Sequence, residues 1–157
     1  MRNLDVFIKK DKYLPIALTR MIEGGKSLFL ITNSDWSYTN FVMSYILNDM
    51  HENYPNWKDY FEYIVVGAGK PGFFTGDSPF YEVITDDELI QKYGGSLLKV
   101  YGGPLEKGHI YHGGNASLFQ HLTGYKGDEI LYVGDHMYGD IINSKGLLNW
   151  RTMLIVE

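Results

Sequence analysis

The chain has 157 residues, 45% of them hydrophobic and 21% charged, with a formal net charge of −5 and no cysteine. That composition excludes a disordered polymer, and the missing thiols exclude a disulfide scaffold, a thiolate metal site and a cysteine nucleophile. The acidic balance and the absence of any basic run exclude a nucleic acid polymer as the main partner, because such affinity comes chiefly from phosphate neutralisation.

The length suits one domain, 1–157. Aromatic residues make up 15%, led by 13 tyrosines, which favours a packed α/β interior over a simple helical bundle. The opening stretch, MRNLDVFIKKDKYLP, lacks the apolar core of a signal peptide. No apolar run approaches the ~20 residues that span a bilayer. A cytoplasmic protein with no membrane partner is expected.

In chain order, PIALTRMIEGGK sets Ile16, Ala17, Leu18 and Met21 at helical spacing, and Gly24-Gly25 supplies the stop. SLFLITN is a continuous apolar run, as expected of a strand buried on both faces. SYTNFVMSYILNDM is helical again, with Phe41, Val42, Tyr45 and Ile46 as its apolar positions. FEYIVVGAGKP predicts a second buried strand that ends in a glycine-rich turn.

Residues 72–114 alternate weakly and are rich in glycine, which predicts hairpins and turns. NASLFQHLTGYKGDE reads as a helix with Asn115 as N-cap and Gly124 near its end. EILYVGD predicts a third buried strand, MYGDIINSKGLL a short helix and WRTMLIVE a fourth strand. Strands alternating with helices imply a parallel sheet with crossover connections, and such sheets gather their working residues at the carboxyl ends of the strands.

Those ends read TNSD, GAGKP and GDHMYGD. Thr32 or Ser34, with backbone amides at the start of the next helix, can hold phosphate oxygens. Lys70 adds a positive charge for the same group. Asp135 and Asp140 are hard oxygen ligands suited to Mg²⁺, which takes one or two carboxylates and keeps several waters. Each element also has a plainer reading, since TNSD is a good helix cap, a lysine after a glycine turn is usually solvated, and an aspartate after a strand is commonly a cap. It is the combination at successive strand ends that favours a phosphate and Mg²⁺ site.

Other candidates are weaker. His109 and His112 in HIYH have no further ligand cluster and read as turn or strand positions. GGPLEKGHIYHGG lacks the spacing of a phosphate-binding loop or dinucleotide fingerprint. Ser34 or Ser37 with a distant histidine does not make a hydrolase triad. His136 stands beside the proposed metal ligand, and Tyr138 reads as a packing residue.

LFLITNSDWSYTNFVMSYIL, GAGKPGFF, GGPLEKGHIYHGG and ILYVGDHMYGDIINSK, with LLNWRTMLIVE after it, together resemble the haloacid dehalogenase superfamily and, more narrowly, its cytosolic purine 5′-nucleotidase branch. The likeness runs from about Leu14 to the end. It implies a Rossmann-like core with Thr32 binding the transferring phosphoryl group and Asn33 and Ser34 near it. Lys70 would neutralise a phosphoaspartyl intermediate, and Asp135 would ligate Mg²⁺ with Asp140 as ligand or support. The implied activity is Mg²⁺-dependent hydrolysis of a purine nucleoside monophosphate such as IMP or GMP.

One element of the family pattern is missing. Members of the superfamily attack phosphate with the first aspartate of an Asp-x-Asp pair at the end of a central strand, and no two aspartates here are separated by one residue. The expectation is an incomplete core that lacks the nucleophile strand and the cap, carries a hairpin-rich insert over 72–114, and is inactive by itself. The missing strand would have lain between the strand ending in Thr32 and the strand ending in Asp135. Its loss would leave those two strands either unpaired or paired with each other, and exposed edges would encourage a homo-oligomer. The alternative is a non-catalytic remnant that binds phosphate, nucleotide or a protein partner.

Overall fold

A computed structural model describes residues 4–86, 88, 91, 98–100, 103–137 and 148–156. Its described elements are α1 (Leu4–Phe7), α2 (Leu14–Glu23), β1 (Phe29–Ile31), α3 (Trp36–Leu47), a 3-10 turn (Trp57–Tyr60), β2 (Tyr63–Val66), α4 (Gly72–Thr75), β3 (Phe80–Val83), β4 (Leu98–Val100), β5 (Ile110–Gly113), α5 (Ala116–Thr123), a second 3-10 turn (Gly127–Glu129), β6 (Leu131–Gly134) and β7 (Arg151–Leu154). Five strands form one sheet in the order β1-β2-β5-β3-β4, and β6 and β7 form a separate pair. The β1–β2, β2–β5 and β6–β7 ladders are parallel, while β3 runs antiparallel to both β4 and β5.

The alternation of side chains along the parallel strands builds two cores. Ile31, Tyr63, Val65 and Tyr111 point to one face, where they meet Phe73 and Phe74 of α4, Phe119 of α5, and Ile130, Tyr132 and Trp150. Ile64, Val66 and Ile110 point to the other, against Leu47, Trp57 and Tyr60, with Leu18 and Ile22 of α2 packed on them. Each helix is fixed locally. Pro15 opens the first turn of α2, the Asp35 carboxylate caps α3 by accepting from the Tyr38 amide at 2.8 Å, and Asn115 caps α5 through the Leu118 amide at 2.9 Å. Gly124 ends α5 in the left-handed conformation, φ 78°.

Three expectations are corrected. The glycine-rich segment does hold an antiparallel pair, β3–β4, but it also supplies β5, a parallel neighbour of β2 inside the main sheet. Within α2, Ile16 and Met21 are exposed; the core face is Pro15, Leu18, Thr19 and Ile22. EILYVGD is not buried on both faces: Tyr132 is buried, but Leu131 and Val133 are about half exposed. The helix expected over residues 137–148 lies almost wholly outside the described residues, as do Tyr138 and Asp140. No helix among the described residues is long and apolar enough to cross a membrane.

Tyr63 gives the core a measurable pH dependence. Burial, reinforced by the neighbouring Glu62 carboxylate, pushes its phenol up to about 12. An unfolded tyrosine ionises near pH 10. Its contribution is therefore complete below about pH 10 and is lost as the pH rises towards 12, because only the unfolded chain then releases the proton. The urea midpoint of Tyr63→Phe is expected to fall less steeply than that of the unsubstituted chain above pH 10. Parallel decline of the two would refute this.

Candidate functional site

The strand ends β1 and β2 are stitched together beyond their regular pairing. Thr32 donates its amide to Val65 O at 3.0 Å, Ala68 donates to Thr32 O at 3.0 Å and Gly67 donates to Ser34 O at 2.8 Å. Gly67 and Gly69 take positive φ values of 54° and 69°, which let the chain turn back at once. This turn delivers Lys70 opposite Asn33.

The Asn33 amide then grips the backbone of Lys70 at two points. Its Oδ1 accepts from the Lys70 amide at 2.6 Å, and its Nδ2 donates to the Lys70 carbonyl at 3.0 Å. The side chain thus imitates a ladder partner where the sheet has already ended. The Thr32 hydroxyl oxygen accepts from the Ser34 amide at 3.1 Å and keeps its own proton for another acceptor. Thr32, Ser34 and Lys70 are half-buried, and Asn33 is exposed.

The Lys70 ammonium reaches towards the second sheet. It donates to the Tyr132 hydroxyl at 2.9 Å and stands 5.6 Å from the centre of that ring. Tyr132 lies on β6, whose last residue, Gly134, leads directly into Asp135. Asp135 is exposed at the carboxyl end of that strand. Sequence reasoning put the three strand ends on one sheet; the structure puts Thr32 and Lys70 on the larger sheet and Asp135 on the separate pair. Neither of the two missed contributions, the Asn33 grip and the Tyr132 hydroxyl, has a signature in a linear motif, although a tyrosine in a buried strand usually finds a partner for its hydroxyl.

Between the two sheets runs an aromatic seam. The Phe29 ring of β1 lies 6.4 Å from that of Tyr132 and 6.2 Å from that of Trp150, centre to centre. Among the described residues β1 is paired on one edge only, as is β6, and no ladder joins them.

The donor set suits Mg²⁺ in kind, since Asp135 offers a hard, exposed carboxylate at the mouth of the strands. Among the described residues no group of three histidine, aspartate or glutamate side chains could enclose a metal by itself. Mg²⁺ bound through one or two carboxylates, water and a phosphate oxygen needs no such cage. His109, the other histidine candidate, bridges Glu82 at 2.9 Å and Glu106 at 3.6 Å on the surface of the β3–β5 region. His112 lies on β5 with its ring against Gly67.

A mostly parallel sheet with a hydroxyl, an amide and a lysine gathered at neighbouring strand ends defines an α/β protein whose polar groups collect at the carboxyl ends of its strands. The sequence model of the 5' nucleotidase family matches residues 1–157, and the chain belongs to that family, which is haloacid dehalogenase-like. It is 35% identical over 156 residues to 5'-nucleotidase domain-containing protein 2 of Homo sapiens, covering 99% of this chain and 27% of that protein. The Rattus norvegicus protein of the same name is also 35% identical, with 99% of this chain and 26% of that one covered. A 5'-nucleotidase domain-containing protein of Dictyostelium discoideum is 29% identical, with 99% and 25% covered. The chain spans about a quarter of the length of these relatives.

Proposed function

We propose that this chain forms the phosphate- and metal-binding part of a Mg²⁺-dependent 5′-nucleotidase acting on purine nucleoside monophosphates of the IMP or GMP type. The reading is carried by one observation: Thr32 and Lys70 are brought together at the carboxyl ends of β1 and β2, next to β6 and its Asp135. In it, the Thr32 hydroxyl donates to a phosphoryl oxygen, with the Ser34 amide region beside it. Lys70 offsets the charge that accumulates on the phosphoryl group. Asp135, with Asp140, holds Mg²⁺, which when bound neutralises phosphate oxygens and orients the group. Base preference rests on family likeness.

The chain contains no Asp-x-Asp pair, so it supplies neither the attacking carboxylate nor the adjacent acid–base group that the family's reaction requires. Among the described residues β1 and β6 are each paired on one edge only, which supports the reading of an incomplete core that takes up an extended strand bringing those aspartates. The chain alone is therefore expected to release no phosphate from IMP or GMP in Mg²⁺. Addition of a peptide with an apolar strand ending in Asp-x-Asp is expected to start release, and Asp135→Ala to stop it. Turnover by the unassisted chain would place the nucleophile elsewhere and overturn this reading. Phosphate or nucleotide binding without turnover in either arm would favour the non-catalytic reading, which the missing aspartate pair also supports.

A further inference from the structure

We propose that Tyr132 is a positioning residue for Lys70, resting on the phosphate-site reading above. Lys70 is held at both ends. The Asn33 amide fixes its backbone, and the Tyr132 hydroxyl receives its ammonium at 2.9 Å across the break between the two sheets. A lysine stem is flexible and its ammonium carries little directional preference of its own. A phosphate site gains from an ammonium already in place when the ligand arrives.

Tyr132 can serve as such a stop because its ring does not move freely. It is 5% exposed. Its ring packs edge-on to Phe74 at 5.3 Å and lies 5.8 Å from Trp150. Among the described residues the rings packed on it are those of Phe29, Phe74 and Trp150, and the hydroxyl is the polar end of this side chain. Because Tyr132 precedes Asp135 by three positions, one short strand sets both the place of the ammonium and the place of the carboxylate. The spacing of the two positive charges around a phosphate, ammonium and Mg²⁺, would follow from the geometry of β6.

The test uses the whole chain and Tyr132→Phe, which keeps the ring and removes only the oxygen. An unchanged urea midpoint establishes that packing survives. Trace acetylation with acetic anhydride, read by peptide mass spectrometry with the other lysines as internal standards, then reports on the ammonium directly. Lys70 is expected to label about fivefold faster in Tyr132→Phe, as loss of one charge-assisted hydrogen bond implies. An unchanged Lys70 rate overturns the proposal, whether or not the chain binds phosphate. Should Tyr132→Phe lower the midpoint, the acetylation is repeated with Leu131→Ala, which perturbs the same strand without touching the bond. Equal gains at Lys70 in both would overturn the proposal.

Binding of inorganic phosphate in Mg²⁺ gives the second readout. Tyr132→Phe is expected to weaken it about fivefold, and Lys70→Met to weaken it further. Adding Tyr132→Phe to Lys70→Met is expected to change nothing more, since Tyr132 acts through the lysine. A further loss in the double variant would make Tyr132 merely structural. An unsubstituted chain that binds no phosphate would sink the phosphate-site reading, and the acetylation result would still decide the positioning role.

Discussion

Gly67→Ala is expected to lower stability by about 2–5 kcal/mol and to dislodge Lys70, although position 67 carries no functional group. Two costs add. At φ 54° the backbone sits in the left-handed region, where a side chain costs about 1–2 kcal/mol. A Cβ built there would also stand 2.3 Å from Nε2 and 2.5 Å from Cδ2 of His112, an overlap that must be relieved by moving a ring on the central strand β5 or by moving the turn. Forced repacking of this kind costs about 1–3 kcal/mol. The turn is tied to the first strand end: the Gly67 amide donates to Ser34 O and the next residue's amide to Thr32 O, so displacement strains the strand end that bears Thr32 and Ser34, the hydroxyls of the proposed phosphate site.

Urea denaturation of Gly67→Ala, His112→Ala and the double variant separates the two costs. Removing the imidazole relieves the overlap but leaves the φ cost, so the double variant is expected to recover part of the loss beyond additivity. Gly67→Asn, which tolerates a left-handed backbone better, is expected to show the overlap with less of the φ cost. A loss under about 0.5 kcal/mol in Gly67→Ala, within the range of ordinary surface changes, would show that the turn and ring adjust freely.

Trp150→Ala is expected to cost about 3–5 kcal/mol, the usual toll for truncating a buried tryptophan and a large share of the ~5–15 kcal/mol that holds a domain together. The side chain is 1% exposed. Its ring lies 5.7 Å from Phe74, 6.2 Å from Phe119, 6.2 Å from Phe29 and 5.8 Å from Tyr132, and its Nε1 donates to Gln120 Oε1 at 2.9 Å. Those neighbours belong to α4, α5, β1 and β6, so this indole is where the β6–β7 pair is held against the larger sheet. Amide exchange is the sharper measurement. In Trp150→Ala, protection is expected to fall first in Leu131–Gly134 and Arg151–Leu154, with Ile64–Val66 affected least. Uniform loss across both sheets would mean that the pair is not a separable unit.

Much of this organisation could be read before any coordinates. β1 and β2 are continuous apolar runs because each is covered on both faces, and a linear run reports that directly. α3 and α5 begin at Asp35 and Asn115, whose side chains are standard caps. The rule that parallel sheets work at their carboxyl ends singled out Thr32, Lys70 and Asp135, and the structure sets Thr32 and Lys70 at neighbouring strand ends. What escaped notice depended on contacts distant in sequence. β5 is only Ile110–Gly113, half of it histidine and glycine, and nothing local distinguishes it from a hairpin arm; its place is set by pairing with β2. Ile16 and Met21 have helical spacing, but spacing does not say which face finds the sheet. The resemblance sets Asn33 near the phosphoryl group, and its grip on Lys70 becomes visible only when residues 37 positions apart are seen together.

The strand order β1-β2-β5-β3-β4 bears on how the chain reaches this form. β1 and β2 are sequence neighbours joined through α3, so their ladder can form early. β2 must then wait for β5, which arrives only after the chain has passed through β3 and β4, and it is β5 that joins the antiparallel strands to the parallel ones. Closure over so long an interval is entropically costly and slow. During synthesis, the far edge of Tyr63–Val66 stays without its neighbour until residue 113 has emerged, a four-residue stretch of uniformly buried side chains in the finished fold. That interval is when the nascent chain has most need of a chaperone, and when a second chain could most readily take the place of β5.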